Sequence, residues 1–138
     1  MALFSKLGKY KDFGLFIMRI GLGIMFIYHG LPKLTGGPKM WEQVGGAAGY
    51  VGVHFLPVLW GLLAGIVETA GGLMLILGLG FRIVCLLLII DMLVAMSFHL
   101  HQSGSMGGVG GAAQAIEMAV VFAGLFFTGP GKYSVDKR

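Results

Sequence analysis

Charge is what this sequence has least of. Only 12% of its 138 residues are Asp, Glu, Lys or Arg, against 57% hydrophobic, with a mean hydropathy of +0.87. A soluble domain carries roughly 25% charged residues, so about half of the usual solubilising charge is missing. The shortage is also uneven: it leaves apolar runs long enough to cross a bilayer. Cysteine is nearly absent as well. Cys85 stands alone in the run Ile83 to Ile90, which excludes a disulfide, a CxxC pair and a cysteine zinc site and leaves a small packing residue. No basic face exists for a nucleic acid, because the cations gather at the two ends of the chain, and no nucleic-acid partner is expected.

What remains divides into four spans, at about 14–34, 57–79, 81–100 and 112–128, so the chain reads as a single transmembrane domain over residues 1–138. Each span has enough residues to cross a hydrocarbon layer of about 30 Å at 1.5 Å per residue. The first is expected to stay uncleaved: it is too long for a signal h-region, Arg19 interrupts it and no A-x-A-like site follows. Gly78-Leu79-Gly80 forces a tight turn between spans two and three, and Gly129-Pro130-Gly131 stops span four. Two Gly-rich loops link the other ends. In the first, Met40 to Val53 suits a short interfacial helix, since Trp41 and Tyr50 are residue types favoured at that depth. The fold class is therefore an all-α membrane protein, a four-helix transmembrane bundle.

Charge asymmetry sets the expected orientation. Lys6, Lys9, Lys11, Arg82, Lys132, Lys137 and Arg138 fall on one side, and the long loops hold only Lys33 and Lys39. Both termini are thus expected in the cytoplasm and both Gly-rich loops outside.

Four ionisable residues sit where a bilayer penalises them: Arg19, Glu68, Asp91 and Glu117. Each costs about 2.5 to 3.5 kcal/mol at a helix centre on insertion scales, so they should face each other or a polar cavity. Counting rises places Glu68 and Asp91 near the midplane, Arg19 roughly 7 Å inward and Glu117 roughly 5 Å outward. Glu68 lies in a stripe of small residues, Gly61, Ala64, Gly65, Gly71 and Gly72, which predicts close burial against another span. It could pair with Arg19 to lock the bundle, or serve as a carboxylate in a ligand or proton site. Asp91 could pair with Arg19 or stay protonated. His29 and Glu117 share a depth, with His99 about a turn further out. These three define a candidate outer cavity able to exchange protons near neutral pH. His99 and His101 are two apart and do not share a helical face, so metal or haem ligation is not expected.

The ordered motifs resemble one family. Arg19-Ile-Gly-Leu-Gly-Ile-Met-Phe-Ile-Tyr-His-Gly-Leu-Pro-Lys33-Leu looks like the opening span of the DoxX family. Glu68-x-x-Gly71-Gly72-Leu, then Leu77-Gly78-Leu79-Gly80-Phe81-Arg82, resembles its second span and turn. Gly129-Pro130-Gly131-Lys132-Tyr133-Ser134-Val135-Asp136 resembles its C-terminal signature. The resemblance implies a multi-pass protein of a bacterial or archaeal cytoplasmic membrane. It also implies a redox-associated subunit holding a quinone or similar small molecule near Arg19, His29, Glu68 and His99, working beside other membrane subunits or further copies of itself. A non-catalytic scaffold or accessory subunit is the competing expectation. The lone cysteine speaks against thiol–disulfide relay chemistry.

The topology is checked by labelling single cysteines in intact cells with an impermeant reagent. Ser105→Cys should react and a cysteine in the tail should not; the reverse pattern overturns the orientation.

Overall fold

The computed structural model describes residues 3–102, 104 and 107–136. Lys137, Arg138 and Ser105 lie outside them. Within this range the chain is helical, with no strand among the described residues. A 3₁₀ segment, Ser5–Tyr10, leads into α1, Lys11–Thr35. A short α2, Pro38–Gly45, runs on into a 3₁₀ segment, Gly46–Val51. The long helices α3, Pro57–Leu77, α4, Phe81–His101, and α5, Gly108–Thr128, follow. The four long helices are each long and apolar enough to cross a membrane. Large apolar side chains face outward, Ile83, Val120 and Phe127 among them, as lipid requires.

Differences from the expected boundaries have local causes. α5 begins four residues earlier than expected, because Gly108–Gly111, read as loop, already form its first turn. Glycine lowers helix propensity, but the bilayer removes the competing hydrogen bonds of water. α3 stops two residues early, at Leu77, because Gly78 has a φ of 66°, the left-handed conformation that ends a helix. The short helix expected in the first loop exists, and it packs directly on the start of α3. Gly45 meets the Pro57 carbonyl and Gly61 meets Trp41 with no room for a Cβ.

The predicted stripe around Glu68 is buried, and it serves three neighbours rather than one. Gly61 takes α2, Gly65 and Gly72 take α1, and Gly71 faces Val84 and Leu88 of α4. Where α1 crosses α3, a Cβ on Gly23 would lie 2.5 Å from the Gly72 carbonyl oxygen, and one on Gly72 would lie 2.6 Å from that of Gly23. α1 therefore lies along α3 almost backbone to backbone. α4 also packs along much of α5, while α3 and α4 touch more lightly. The result is two helix pairs joined by a looser seam. A core of Leu15, Phe26, Leu75, Phe81, Cys85, Leu88 and Phe122 fills its inner part. The Phe26 and Phe122 rings meet edge to face across it at 5.1 Å.

Arg19 closes one end of that seam, and its partners are not the expected ones. Its Nε donates to the Leu75 carbonyl at 3.0 Å, Nη2 to Ile76 at 2.8 Å and Nη1 to Pro130 at 2.8 Å. The guanidinium thus satisfies the open Ile76 carbonyl and shares that of Leu75 with the Gly78 amide, at the negative end of the helix dipole. It makes no ion pair with Glu68 or Asp91. Leu75 and Ile76 lie about two turns beyond Glu68, a separation of roughly 10 Å. The tail folds back over the same turn. Asp136 accepts from the amides of Gly80 and Phe81 at 3.0 and 2.8 Å, capping α4. The Val135 and Asp136 amides donate to the Leu77 and Gly78 carbonyls, and Asp12 accepts from the Lys132 amide at 3.0 Å. Both chain ends therefore meet at one end of the bundle, called here the terminal end; the other is the loop end. Ser134 is held within this clasp by bonds to the Gly131 and Asp136 carbonyls, so exposed Tyr133 is the better tail position for cysteine labelling.

Two substitutions test the clasp. Asp136→Ala removes an N-cap and should lower stability by about 1 kcal/mol. Arg19→Leu strands the Ile76 and Pro130 carbonyls and should lose most of the folded protein. Because Arg19 and Glu68 share no contact, Arg19→Leu and Glu68→Gln should add in a thermal-unfolding series; mutual rescue would contradict this geometry.

Candidate functional site

The loop end of the seam holds the other buried charges. Glu68, on the inner face of α3, is 3% exposed, and Lys33 in the last turn of α1 reaches it. Lys33 Nζ donates to both carboxylate oxygens, at 2.7 and 2.8 Å. Gly30 makes the approach feasible, since a Cβ there would fall 2.6 Å from Glu68 Cβ. With the α1 backbone seated on Glu68, the flexible lysine stem one turn on can fold back and bury along the helix while its head finds the carboxylate. Trp41 holds this last turn in place, its indole donating to the Lys33 and Leu34 carbonyls at 2.9 and 3.3 Å.

Asp91 of α4 faces the pair closely enough to interact with both Glu68 and Lys33. Its Oδ2 is buried and has no hydrogen-bond partner.

The Lys33–Glu68 pair stands between two cavities. The first, of about 400 Å³, opens between α1, α4 and α5, and His29, His99, Gln114 and three methionines, Met25, Met92 and Met118, help to line it. His99 Nδ1 is buried there without a partner. The second, of about 420 Å³, lies between α2, α3 and α4, and Asp91 is on its wall. Lys33 and Glu68 belong to both walls.

The candidate residues therefore separate into three places. His29, His99 and Glu68 come together on the first cavity, and Asp91 sits behind them on the second. Arg19 is at the far end in the clasp. Glu117, expected beside His29, lines neither cavity and is exposed on the outer face of α5. The residue that sequence reasoning missed is Lys33. Its place two residues from the end of α1 made it look like a loop cation, and only the Gly30 approach brings it inward. His101 also turns elsewhere, its Nδ1 2.7 Å from the Ser97 carbonyl and its ring against Tyr50. Among the described residues, no three His, Cys, Asp or Glu side chains gather as a metal ion would need.

A bundle of four apolar spans around an internal charged pair defines a multi-pass helical membrane protein. The DoxX family model matches residues 14–102, and the chain belongs to the DoxX family. It is 33% identical to an uncharacterized protein of Haemophilus influenzae, over 97% of this chain and 96% of the relative. It is 28% identical to an uncharacterized membrane protein of Mycobacterium tuberculosis, over 88% of this chain and 78% of that relative. No solved structure matches significantly.

Breaking the pair from one side should be costly. Lys33→Met leaves the Glu68 carboxylate stranded in an apolar setting and should cost about 3 kcal/mol. Adding Glu68→Met should recover much of that loss, since a well-packed apolar pair can replace a buried ion pair. A thermal-unfolding cycle in detergent reads both. If the double variant is no better than Lys33→Met, the pair is not coupled as its geometry requires.

Proposed function

We propose that the protein is a redox-associated membrane subunit that holds a quinone or similar ring-sized small molecule in the first cavity. The observation that carries this reading is a 400 Å³ space inside the bundle that gathers His29, His99 and the Lys33–Glu68 pair against methionine walls. Pockets for small molecules are mostly apolar with a few converging polar groups, and ionisable groups inside a membrane mark functional sites by default. A quinone ring offers two carbonyl acceptors. His29, His99 and Lys33 carry N–H groups that could donate to them, and the His99 ring holds a buried nitrogen that nothing else uses. The pliable methionine side chains suit a flat ring. Electrons would come from a partner protein, and the imidazoles would exchange the accompanying protons. The setting of this reading is a bacterial or archaeal cytoplasmic membrane, with both termini cytoplasmic.

One observation favours the accessory-subunit alternative. Glu117 stands exposed near the middle of α5, and a carboxyl facing lipid at that depth is costly. A neighbouring membrane subunit or a second copy of the chain would cover it. The two readings are compatible, and one set of measurements separates them. Purified protein in neutral nanodiscs is titrated with decylubiquinone or menadione. Saturable binding should weaken about tenfold or more in His99→Ala, which removes a hydrogen-bonding group, should weaken in Glu68→Gln, which removes the charge that holds Lys33 in place, and should survive Glu117→Leu. Absence of saturable binding by either quinone overturns the small-molecule reading. Dissociation of a co-purifying complex by Glu117→Leu would then favour the accessory role.

A further inference from the structure

The second cavity is not used by the function proposed above, and its chemistry differs from the first. Its walls are apolar, built from Trp60, Leu63, Ala64, Leu87, Ile90 and Val94, and its titratable lining groups are Lys33, Glu68 and Asp91. Leu63, Leu87 and Ile90 are 38%, 43% and 52% exposed, so the cavity opens sideways, where the bilayer would lie, and a ligand would enter from lipid. No histidine is on its wall.

Charge decides what such a space can hold. Lys33 gives its ammonium to both oxygens of Glu68, which leaves Asp91 with no cation of its own among the groups lining the cavity. Its Oδ2 is buried and unpartnered. With one cation facing two carboxyls, the second, Asp91, is neutralised either by a proton or by a cation brought by a ligand. An anionic ligand would meet two carboxyls with one cation between them, and a purely apolar one would make no use of Asp91. An apolar body bearing one protonated amine suits both the walls and the carboxyl, because its ammonium can take the place of that proton and donate to Oδ2.

We infer that the second cavity is a binding site for lipophilic amines, with Asp91 as the group that receives the ammonium. This site is separate from the proposed quinone site, and neither inference depends on the other. The Lys33–Glu68 pair is the floor of both cavities, so occupancy of one is sensed at the wall of the other.

The test uses 1-aminoadamantane, a compact cage with a primary ammonium, titrated into the full chain in phosphatidylcholine nanodiscs. Isothermal calorimetry is followed in parallel with fluorescence of Trp60, which lines the site. Saturable binding is expected, and Asp91→Asn should weaken it at least about tenfold by removing the charged acceptor. Ala64→Leu, which narrows the space and leaves the charges intact, should weaken it as well. Adamantane carboxylate should not bind. The inference is overturned by absence of saturable amine binding to folded wild-type protein. It is equally overturned by equal affinity in Asp91→Asn, or by a carboxylate that binds as well as the amine. Should Asp91→Asn fail to fold, Ala64→Leu and the carboxylate probe decide the matter. A lost quinone titration with a preserved amine titration would count against the first cavity alone.

Discussion

A helix that ends inside or at the edge of a bilayer leaves four carbonyls with nothing to bond, and hydrocarbon offers no water to answer them. In this protein the turn, the tail and one arginine meet that debt together: the Leu79, Gly78 and Val135 amides reach Met74, Leu75 and Leu77, and Arg19 supplies the donor to Ile76. The three donors of Arg19 are aimed at Leu75, Ile76 and Pro130, so a single buried cation joins the end of α3, the start of the tail and the body of α1. The turn that follows is treated with matching polarity. Asp136 sits at the amides of Gly80 and Phe81, the positive end of α4, as Arg19 sits at the negative end of α3. Neither charge needs a counter-ion side chain, because the backbone dipoles supply one.

That arrangement has consequences at the other end of the molecule. With Arg19 already satisfied, the carboxylates are free to be used elsewhere, and Glu68 takes Lys33. The two helix pairs are stitched together at the terminal end by the clasp and midway along the seam by the Phe26–Phe122 contact, while at the loop end Tyr50 packs on Phe98 and His101 at the outside of α4. The seam opens there, and both cavities are found along it. Tight glycine contacts within the α1–α3 pair and loose contacts between pairs are thus two sides of one division. Small residues were placed where backbones must touch, and the remaining volume became space.

Hydropathy made the spans legible, because a run of apolar residues of bilayer length has few other readings. Turn chemistry made the ends legible too, as Gly78 and Gly129 show. Which charge meets which was not legible. Depth counting put Arg19 within reach of Glu68 and Asp91, but depth says nothing of rotation about the helix axis, and an arginine has backbone acceptors available as well as carboxylates. The same gap explains Glu117. Its depth agreed with that of His29, while its azimuth on α5 turns it outward. Lys33 was hidden for a third reason: a long flexible stem lets a residue at a helix end act a full turn away. His29 and His99 were found because they lie on facing helices near one depth, where rotation happened to agree.

The division of labour between the two inner cations follows from their chemistry. Arginine has five N–H donors in a rigid planar fork, is weakly hydrated and does not lose its proton. Those properties suit a permanent clasp onto fixed carbonyls, and Arg19 is 1% exposed. Lysine is a compact charge on a mobile stem, able to swing between acceptors. Lys33 is only partly buried, at 33% side-chain exposure, and its carboxylate partner is shared by the walls of both cavities. A guanidinium in that position would fix the pair and fill the space. An ammonium holds Glu68 in place yet can turn one N–H toward whatever enters. The residue types thus set a fixed clasp at one end of the bundle and a more mobile charge at the other, where the seam is open.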